Sequence, residues 1–425
     1  MNQAAHQTTE PLRSPNGRAT SARNAIILLG DGMGAAHRFA GQLLLAGRRG
    51  RLTMDRLPVV GQMSTLSADP ASFVTDSAAA ATAIAAGVKT VNGAVSIDPD
   101  GRPRTTLLEL AKRAGKAVGL VTTCQVTDAT PAAFGAHVIH RSDQSEVARQ
   151  YLHESGVDVV LGGGAAWWLP DGAPDPFGSD DPRLQSRGTA GDLIEEAGRL
   201  GYRLVADAAG LTVAANDPTV DRVLGLFAAQ EMFEQSAEGE GGSYAPVVTL
   251  AEMTGAAIET LSRNPEGFFL MVEESAIDRM AHRNNAPLTL KGVLELDRAV
   301  QVALAYAERD PETLVVVTAD HETGGLAVAG SGDTPYPYEP GGGLLDTLLA
   351  GEDGPFPVAD EPYGFVLGWA TTGHTAATVP VTAAGPGADA LAGFYENTRL
   401  FEVVAESLGL PAHCSTERRS ARTAG

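Results

Sequence analysis

Short, continuously apolar runs alternate along this chain with longer segments whose apolar residues recur at helical spacing. The apolar runs occupy residues 24–31, 116–126, 157–161, 267–273 and 313–320. Continuous hydrophobicity is typical of strands that are buried on both faces, as in a parallel sheet. Helical spacing recurs over residues 105–114, 250–261 and 290–308. The alternation predicts an α/β fold with a mostly parallel central sheet and helices on both of its faces.

Segments rich in Gly, Pro and Asp divide the chain into one large domain, two insertions and two tails. We expect the domain to span residues 24–410, with surface insertions at about 165–191 and 329–363, the second forming a small cap. Residues 1–23 are polar, contain prolines and show no signal-peptide core, so we expect a disordered N-terminal tail. Residues 411–425 are expected to form a polar C-terminal tail.

One stretch, Phe73-Val-Thr-Asp-Ser-Ala-Ala-Ala-Ala-Thr82, places Ser77 at the start of an alanine-rich helix. Alanine is a strong helix former, and Gly87 is a natural C-terminal stop. The free N–H groups and the positive dipole end at a helix start favour an anion beside Ser77. The alternative is that Asp76 or Ser77 only caps the helix, and this stretch alone leaves both interpretations open.

Carboxylates follow several of the predicted strands at their C-terminal ends. Ligands of open α/β sheets bind outside this edge, so the groups are expected to face one crevice. Exposed strand ends have no structural need for carboxylates, which favours a functional interpretation. The residues concerned are Asp31, Asp128, Glu273, Asp320 and the adjacent His321.

Two further motifs add histidines to these acidic groups. Asp278 and His282 are four residues apart, so one helical turn would place both on the same face, where they could chelate one cation. An ordinary surface Asp–His pair is the alternative. His374 lies in a glycine-containing loop before a predicted strand at residues 378–383. We assign a structural role to the other histidines, which are His6, His37, His137, His140, His153 and His413.

These side chains outnumber the ligands that one metal ion needs. Mixed Asp and His ligation suits Zn²⁺, whereas a set made only of oxygen atoms suits Mg²⁺. The sequence therefore suggests a binuclear site with a third ion that is held by oxygen ligands.

Charge and composition exclude some partners. The chain carries a formal net charge of −21. Such a surface repels nucleic-acid phosphates and anionic membranes, so neither is an expected partner. No run approaches the length of a membrane span. Cys124 and Cys414 lie far apart and form no disulfide framework, and Cys124 is expected to be a small buried apolar residue.

Six motifs, in this order and spacing, resemble those of the alkaline phosphatases. The resemblance runs from about Asn24 to Leu410, nearly the whole chain. The motifs are Gly30-Asp-Gly-Met-Gly34, Thr75-Asp-Ser-Ala78, Asp128-Ala-Thr-Pro131, residues 273–282, Thr318-Ala-Asp-His-Glu-Thr-Gly324 and Thr372-Gly-His-Thr375.

The resemblance implies a role for each matching position. Ser77 would be the nucleophile that becomes phosphorylated. The first zinc would be held by Asp278, His282 and His374. The second would be held by Asp31, Asp320, His321 and Ser77. A magnesium ion would be bound by Asp31, Thr130 and Glu273.

Two arginines and Asp128 complete the implied site. Arg141 stands where the family places its phosphate-binding arginine, and a guanidinium fork suits phosphate. Asp128 would lie just outside the magnesium ligands. Arg279 departs from the family, whose members commonly carry Lys, His or Trp there. It could bind phosphate directly or pair with Asp128.

The implied function is hydrolysis of phosphate monoesters through a phosphoserine intermediate. No histidine base is evident beside Ser77, so metal coordination is expected to activate its hydroxyl. The nearest alternative is a superfamily relative that acts on phosphodiesters or sulfate esters, and a non-catalytic metal- or phosphate-binding protein is a further one. The resemblance also implies a periplasmic or extracellular location and a homodimer, although the sequence shows no signal peptide.

Overall fold

Fifteen strands and eleven helices make up the part of the chain that the computed structural model describes, residues 21–330 and 352–411. The strands are β1 (Asn24–Gly30), β2 (Val59–Ser64), β3 (Ala117–Gln125), β4 (Val159–Gly163), β5 (Arg203–Val205), β6 (Val223–Leu226), β7 (Phe268–Glu274), β8 (Thr313–Thr318), β9 (Glu322–Thr323), β10 (Ala327–Gly330), β11 (Glu352–Pro357), β12 (Gly364–Gly368), β13 (His374–Thr375), β14 (Val379–Ala384) and β15 (Gly393–Glu396). The helices are α1 (Ala35–Ala46), α2 (Ser77–Ala86), α3 (Leu107–Arg113), α4 (Ala129–Gly135), α5 (Gln144–His153), α6 (Leu193–Arg199), α7 (Ala208–Asn216), α8 (Leu250–Leu261), α9 (Ala276–Ala281), α10 (Ala286–Arg309) and α11 (Thr398–Ser407).

Ten of the strands form one large sheet in the order β15-β2-β14-β8-β1-β7-β3-β4-β6-β5. Within it β14 runs antiparallel to both of its neighbours, and the other pairings are parallel. Strands β1, β3, β7 and β8 are buried at every position, as their continuous apolar runs predicted. The predicted α/β class and mostly parallel sheet are therefore confirmed.

Two small antiparallel sheets accompany the large one in the described part of the chain. Strands β10, β12 and β11 form the first, and β13 pairs with β9 in the second. The predicted cap at 329–363 falls largely on residues 331–351, outside the described part of the chain. Residues 1–20 and 412–425, with most of both predicted tails and Cys414, also lie outside it, so the predicted domain boundaries stay predictions. Cys124 is buried, as expected.

No helix in residues 21–330 and 352–411 combines the length and the apolar character needed to cross a membrane.

His37 on α1 is completely buried and predicts acid sensitivity of the fold. Its Nδ1 accepts a hydrogen bond from the Gly34 N–H at 3.2 Å. Burial lowers the pKa of His37 to about 4. Between pH 6.5 and 4 the unfolded chain binds a proton that the folded protein does not, so stability falls as the pH falls. The loss attributable to His37 should reach about 3 kcal/mol at pH 4.

Urea unfolding of wild type and His37→Asn at pH 7, 5.5 and 4 measures this effect. Asparagine keeps a hydrogen-bond acceptor for Gly34 but cannot be protonated, so the variant should lose less stability between pH 7 and 4. Equal losses in the two proteins would show that His37 does not cause the acid sensitivity.

Candidate active site

Four adjacent strands bring the predicted site residues to one edge of the sheet. Strand β1 lies between β7 and β8, and β3 lies on the far side of β7. Asp31 directly follows β1, Glu273 is near the end of β7, and Asp320 follows β8. Asp128 follows β3 and precedes α4. The parallel arrangement places all four strand ends at the same edge, which is where the sequence predicted a crevice.

Asp278, His282 and His374 form the first cluster of possible metal ligands, with one ligand atom of each lying within 4.8 Å of the others. Nε2 of His282 lies 3.3 Å from the Asp278 carboxylate and 3.1 Å from Nε2 of His374. The i, i+4 spacing of Asp278 and His282 is realised on α9, where His282 is the C-cap residue. All three ligand atoms thus converge on one point.

Asp31, Asp320 and His321 form the second cluster under the same 4.8 Å limit. Nε2 of His321 lies 3.5 Å from Asp31 and 3.2 Å from Asp320. One oxygen of each carboxylate, Asp31 Oδ1 and Asp320 Oδ2, is buried and has no hydrogen-bond partner within the described chain. Buried polar atoms are nearly always satisfied, so these two oxygens fit a role as metal ligands. Two such ligand clusters in close contact suit two cations.

Main-chain carbonyls orient two of the histidines. Nδ1 of His282 donates to the Thr372 carbonyl at 2.6 Å, and Nδ1 of His374 donates to the Thr75 carbonyl at 2.9 Å. A proton on Nδ1 leaves Nε2 as a lone-pair donor that faces the cluster, which is the usual arrangement around a metal.

Ser77 lies where the two clusters meet. Its Oγ is 3.1 Å from Nε2 of His321, so a histidine does lie beside Ser77, which the sequence did not make evident because the two residues are 244 positions apart. The rings of His321 and His374 stack with a centroid separation of 3.6 Å, so the two clusters are in direct contact. The open question about the helix start is also answered. Asp76 is the N-cap of α2 and accepts from the Ala79 N–H, which leaves the Ser77 hydroxyl available for chemistry.

Gly32 is required by the crowding between the clusters. Its φ is +70°, in the left-handed region, and its N–H donates to Asp320 at 3.1 Å. A Cβ atom there would lie 2.6 Å from Oγ1 of Thr323 and 2.9 Å from Oδ1 of Asp278. Only glycine lets the chain pass this close to both groups.

A third set of oxygen atoms surrounds Glu273. Its carboxylate accepts hydrogen bonds from the hydroxyls of Thr122 and Thr130. Glu273 is buried, and burial raises its pKa to about 8. These are the oxygen ligands that Mg²⁺ prefers.

Negative charge dominates the buried part of the site. Burial, together with Asp320 and Asp278, raises the pKa of Asp31 well above its usual range. Burial, followed by Asp278, raises the pKa of Asp320 to about 6. Burial raises the pKa of Asp278 as well, but its bonds to His282 and His374 hold it well below normal. The cationic side chains around these buried carboxylates do not balance their negative charge. Metal ions would supply the missing positive charge.

Two arginines share Asp128 on the opposite wall. Arg141 donates to Asp76 at 3.2 Å and to Asp128 at 3.0 Å, and Arg279 donates to Asp128 at 2.6 Å. Burial raises the pKa of Asp128, but Arg141 and Arg279 lower it further, so Asp128 is ionised. Of the two roles considered for Arg279, the structure shows the pairing with Asp128.

A cavity of about 370 Å³ opens between these walls. It is lined by Ser77, Asp128, Arg141, Ser142, Gln144, Asp278, Arg279, His282 and His374. Of the other residues that the sequence singled out for the site, Asp31, Asp320 and His321 form the second cluster, and Glu273 and Thr130 belong to the third set of oxygen atoms.

Several residues at the site were not predicted. The Thr323 hydroxyl donates to Asp278, and the Glu322 carboxylate accepts from the Gly325 and Leu326 N–H groups and from Thr375. Thr122 lies directly opposite Glu273 in the parallel register of β3 and β7, a pairing that the sequence alone does not give. The others are common residue types whose roles depend on long-range contacts.

Comparisons with known proteins identify the family of the chain. A sequence model described as alkaline phosphatase matches residues 22–337. Streptomycin-6-phosphate phosphatase of Streptomyces griseus is 38% identical, over 92% of this chain and 91% of that protein. The alkaline phosphatase of Escherichia fergusonii is 35% identical, over 92% of this chain and 86% of that protein.

Solved structures give the same result. A variant of the alkaline phosphatase from the Antarctic bacterium TAB5, with Mg bound in its M3 site, superposes with a TM-score of 0.72 at 27% identity, covering 93% of this chain and 100% of that one. The chain belongs to the alkaline phosphatase family. It is accordingly a metal-binding enzyme that hydrolyses phosphate monoesters.

Proposed function

We propose that this enzyme hydrolyses phosphate monoesters through a phosphoserine on Ser77, at a site for two zinc ions and one magnesium ion. The observation that carries the proposal is the position of Ser77, whose Oγ lies 3.1 Å from His321 Nε2 at the junction of the two ligand clusters. A nucleophile held beside two cation sites suits in-line displacement at phosphorus.

The donor chemistry supports one assignment for each ion. Asp278, His282 and His374 would hold the first zinc, since they combine carboxylate and imidazole ligands. The second zinc would be held by a similar set, Asp31, Asp320 and His321, together with Ser77. The magnesium would be held by oxygen atoms of Asp31, Thr130 and Glu273. The TAB5 variant with bound Mg supports the third ion.

Ser77 would attack the phosphorus atom in line with the ester oxygen, and the bond to the alcohol would break. Water would then cleave the phosphoserine and release inorganic phosphate. The bound metal ions would lower the pKa of the serine hydroxyl and of the water, and would stabilise the leaving oxygen. His321 lies beside Oγ, and burial lowers its pKa, so it is neutral and does not provide a positive charge.

Arg141 and the start of α2 would bind the phosphoryl oxygens. Arg141 is held in place by Asp76 and Asp128, which use only part of its five N–H groups. The remaining N–H groups can form a bidentate pair with two phosphoryl oxygens. The Ser77 and Ala78 N–H groups lie in the first turn of α2, where an anion is stabilised.

Charge balance supports the same mechanism. Asp31, Glu273, Asp278 and Asp320 alone would repel a phosphate dianion. Three divalent cations and Arg141 would make the filled site positive, on a protein whose formal charge is −21. The metal ions would therefore create the anion-binding site.

A substrate panel tests the reaction class. We expect phenyl phosphate to be hydrolysed with a kcat/KM at least about 100-fold above those of diphenyl phosphate and phenyl sulfate, because Arg141 and the metal sites are matched to a dianion. A higher kcat/KM for the diester or the sulfate would instead favour the alternative, a superfamily relative specific for those esters. An extracytoplasmic location and a homodimer stay predictions.

A further inference from the structure

The cavity beside Ser77 is lined only by polar side chains among the residues that the structure describes. Ser77 and Asp278 form its floor, and each is only 3% exposed. Ser142 is exposed and Gln144 is half-buried, so these two residues form its rim. Within the described chain, neither bonds to a metal-ligand cluster or to the Arg141 guanidinium. Their polarity is therefore not explained by the chemistry at the floor.

Gln144 presents hydrogen-bond donors to the cavity. Its Oε1 accepts from the Thr127 hydroxyl at 2.7 Å. Thr127 is completely buried, so this bond fixes the orientation of the amide. No bond from Nε2 of Gln144 occurs in the described ranges 21–330 and 352–411. Both N–H groups of this nitrogen are thus available to a ligand.

Ser142 presents an acceptor to the same cavity. The Ser142 main-chain N–H donates to Nδ1 of His140 at 3.3 Å, and the Ser142 Oγ lies 2.9 Å from the same nitrogen. A hydroxyl oxygen has two lone pairs, so Oγ of Ser142 keeps at least one of them free as an acceptor whichever way the bond to Nδ1 of His140 runs. The rim therefore offers one donor and one acceptor, two residues apart.

We propose that Gln144 and Ser142 form a subsite for a hydroxyl group on the alcohol part of the substrate. The enzyme accordingly prefers monoesters whose alcohol carries further hydroxyl groups close to the phosphate, as in polyol and sugar phosphates. This inference rests on the proposed function, since it places the phosphoryl group on Ser77.

The alcohol part of the substrate is the part that reaches the rim of the cavity. The phosphoryl group occupies the floor, between Ser77 and Arg141. The ester oxygen leaves on the side away from Ser77, so the alcohol extends toward the open mouth. A hydroxyl group both donates and accepts, and it matches the free groups of Gln144 and Ser142. The rim offers no apolar surface to an aryl or alkyl alcohol. With such a substrate the free groups of Gln144 and Ser142 bond to water instead.

Glycerol 1-phosphate and n-propyl phosphate make a matched pair of probes, because they differ only by two hydroxyl groups. Wild type should hydrolyse the glycerol ester with the higher kcat/KM. In Gln144→Ala the ratio of the two kcat/KM values should fall roughly threefold to tenfold, which corresponds to one lost hydrogen bond. Gln301→Ala, the same change at an exposed position on α10, should keep the wild-type ratio.

Thr127 provides an independent test as a positioning residue. Thr127→Val removes the bond that orients Gln144 and should lower the ratio through KM of the glycerol ester, with little change in kcat. Thr127→Ser keeps the hydroxyl and should restore the ratio. Inhibition by inorganic phosphate should be unchanged in Gln144→Ala, since phosphate alone occupies only the floor.

Three outcomes would overturn the proposal. An unchanged ratio in Gln144→Ala would show that no substrate hydroxyl binds there. Equal losses for both esters, with weaker inhibition by phosphate, would place Gln144 on the phosphoryl group instead. Failure of wild type to hydrolyse either ester would contradict the proposed function itself and remove the basis of the subsite.

Discussion

Ser77→Ala should lower kcat for phosphate monoesters by roughly 10³-fold or more, because the displacement loses its nucleophile. The variant should still fold. Alanine is favourable in the first turn of α2, and the N-cap bond from Asp76 to Ala79 does not involve Ser77. Steady-state hydrolysis of phenyl phosphate measures the loss, and calorimetry with inorganic phosphate checks that the anion site survives.

Ser262→Ala is the matched control. Ser262 follows α8 and precedes β7, so it lies at the opposite edge of the sheet from the site, and its activity should equal that of wild type. Acid quenching of wild type during turnover, followed by mass spectrometry, should find phosphate on the peptide that contains Ser77. Unchanged hydrolysis by Ser77→Ala would show that another group attacks the phosphorus atom.

The central strands could be predicted from the sequence, but the edge of the sheet could not. Strands β1, β7 and β8 are buried on both faces and therefore read as continuous apolar runs. By contrast β2 alternates between buried and exposed residues, and β15 is short and mostly exposed. The strand signal at 378–383 was recognised, but its antiparallel direction in β14 depends on tertiary connections that no local pattern encodes.

At the site, too, local features could be predicted from the residues, whereas contacts between residues far apart in the chain could not. The helix start at Ser77 and the Asp278–His282 spacing are local features, and both were predicted from the residues. The grouping of ligands into two clusters came from the family resemblance, since Asp31 and Asp320 are far apart in the chain. Asp76 was recognised only as a possible cap, whereas in the structure it also accepts a bond from Arg141.

Neither the local sequence features nor the family resemblance could decide the role of Arg279. The residue type differs from those that are common in the family at this position, and two roles were open for it, phosphate binding and pairing with Asp128. In the structure Asp128 accepts bonds from both Arg141 and Arg279, so one carboxylate holds two guanidinium groups at the cavity. Asp128 thereby couples Arg141, for which we propose phosphate binding, to Arg279.

Removal of the metal ions should abolish hydrolysis, with a loss of roughly 10³-fold or more in kcat/KM. Without cations, the buried carboxylates of Asp31, Glu273, Asp278 and Asp320 repel both one another and the phosphate dianion. Zinc and magnesium added together should restore activity. The melting temperature should also fall on chelation, because a ligand that binds only the folded state stabilises it.

A single substitution separates metal loss from general damage. Asp320→Asn keeps the shape of the side chain but removes a charge from the second cluster, so elemental analysis should find less zinc, and activity should fall with it. Asp389→Asn makes the same change at an exposed residue and should retain both metal and activity. Wild-type turnover by protein that elemental analysis shows to be metal-free would rule out the mechanism. Loss of zinc from Asp320→Asn without loss of activity would confine the catalytic role to the other cluster, because Asp320 belongs only to the second.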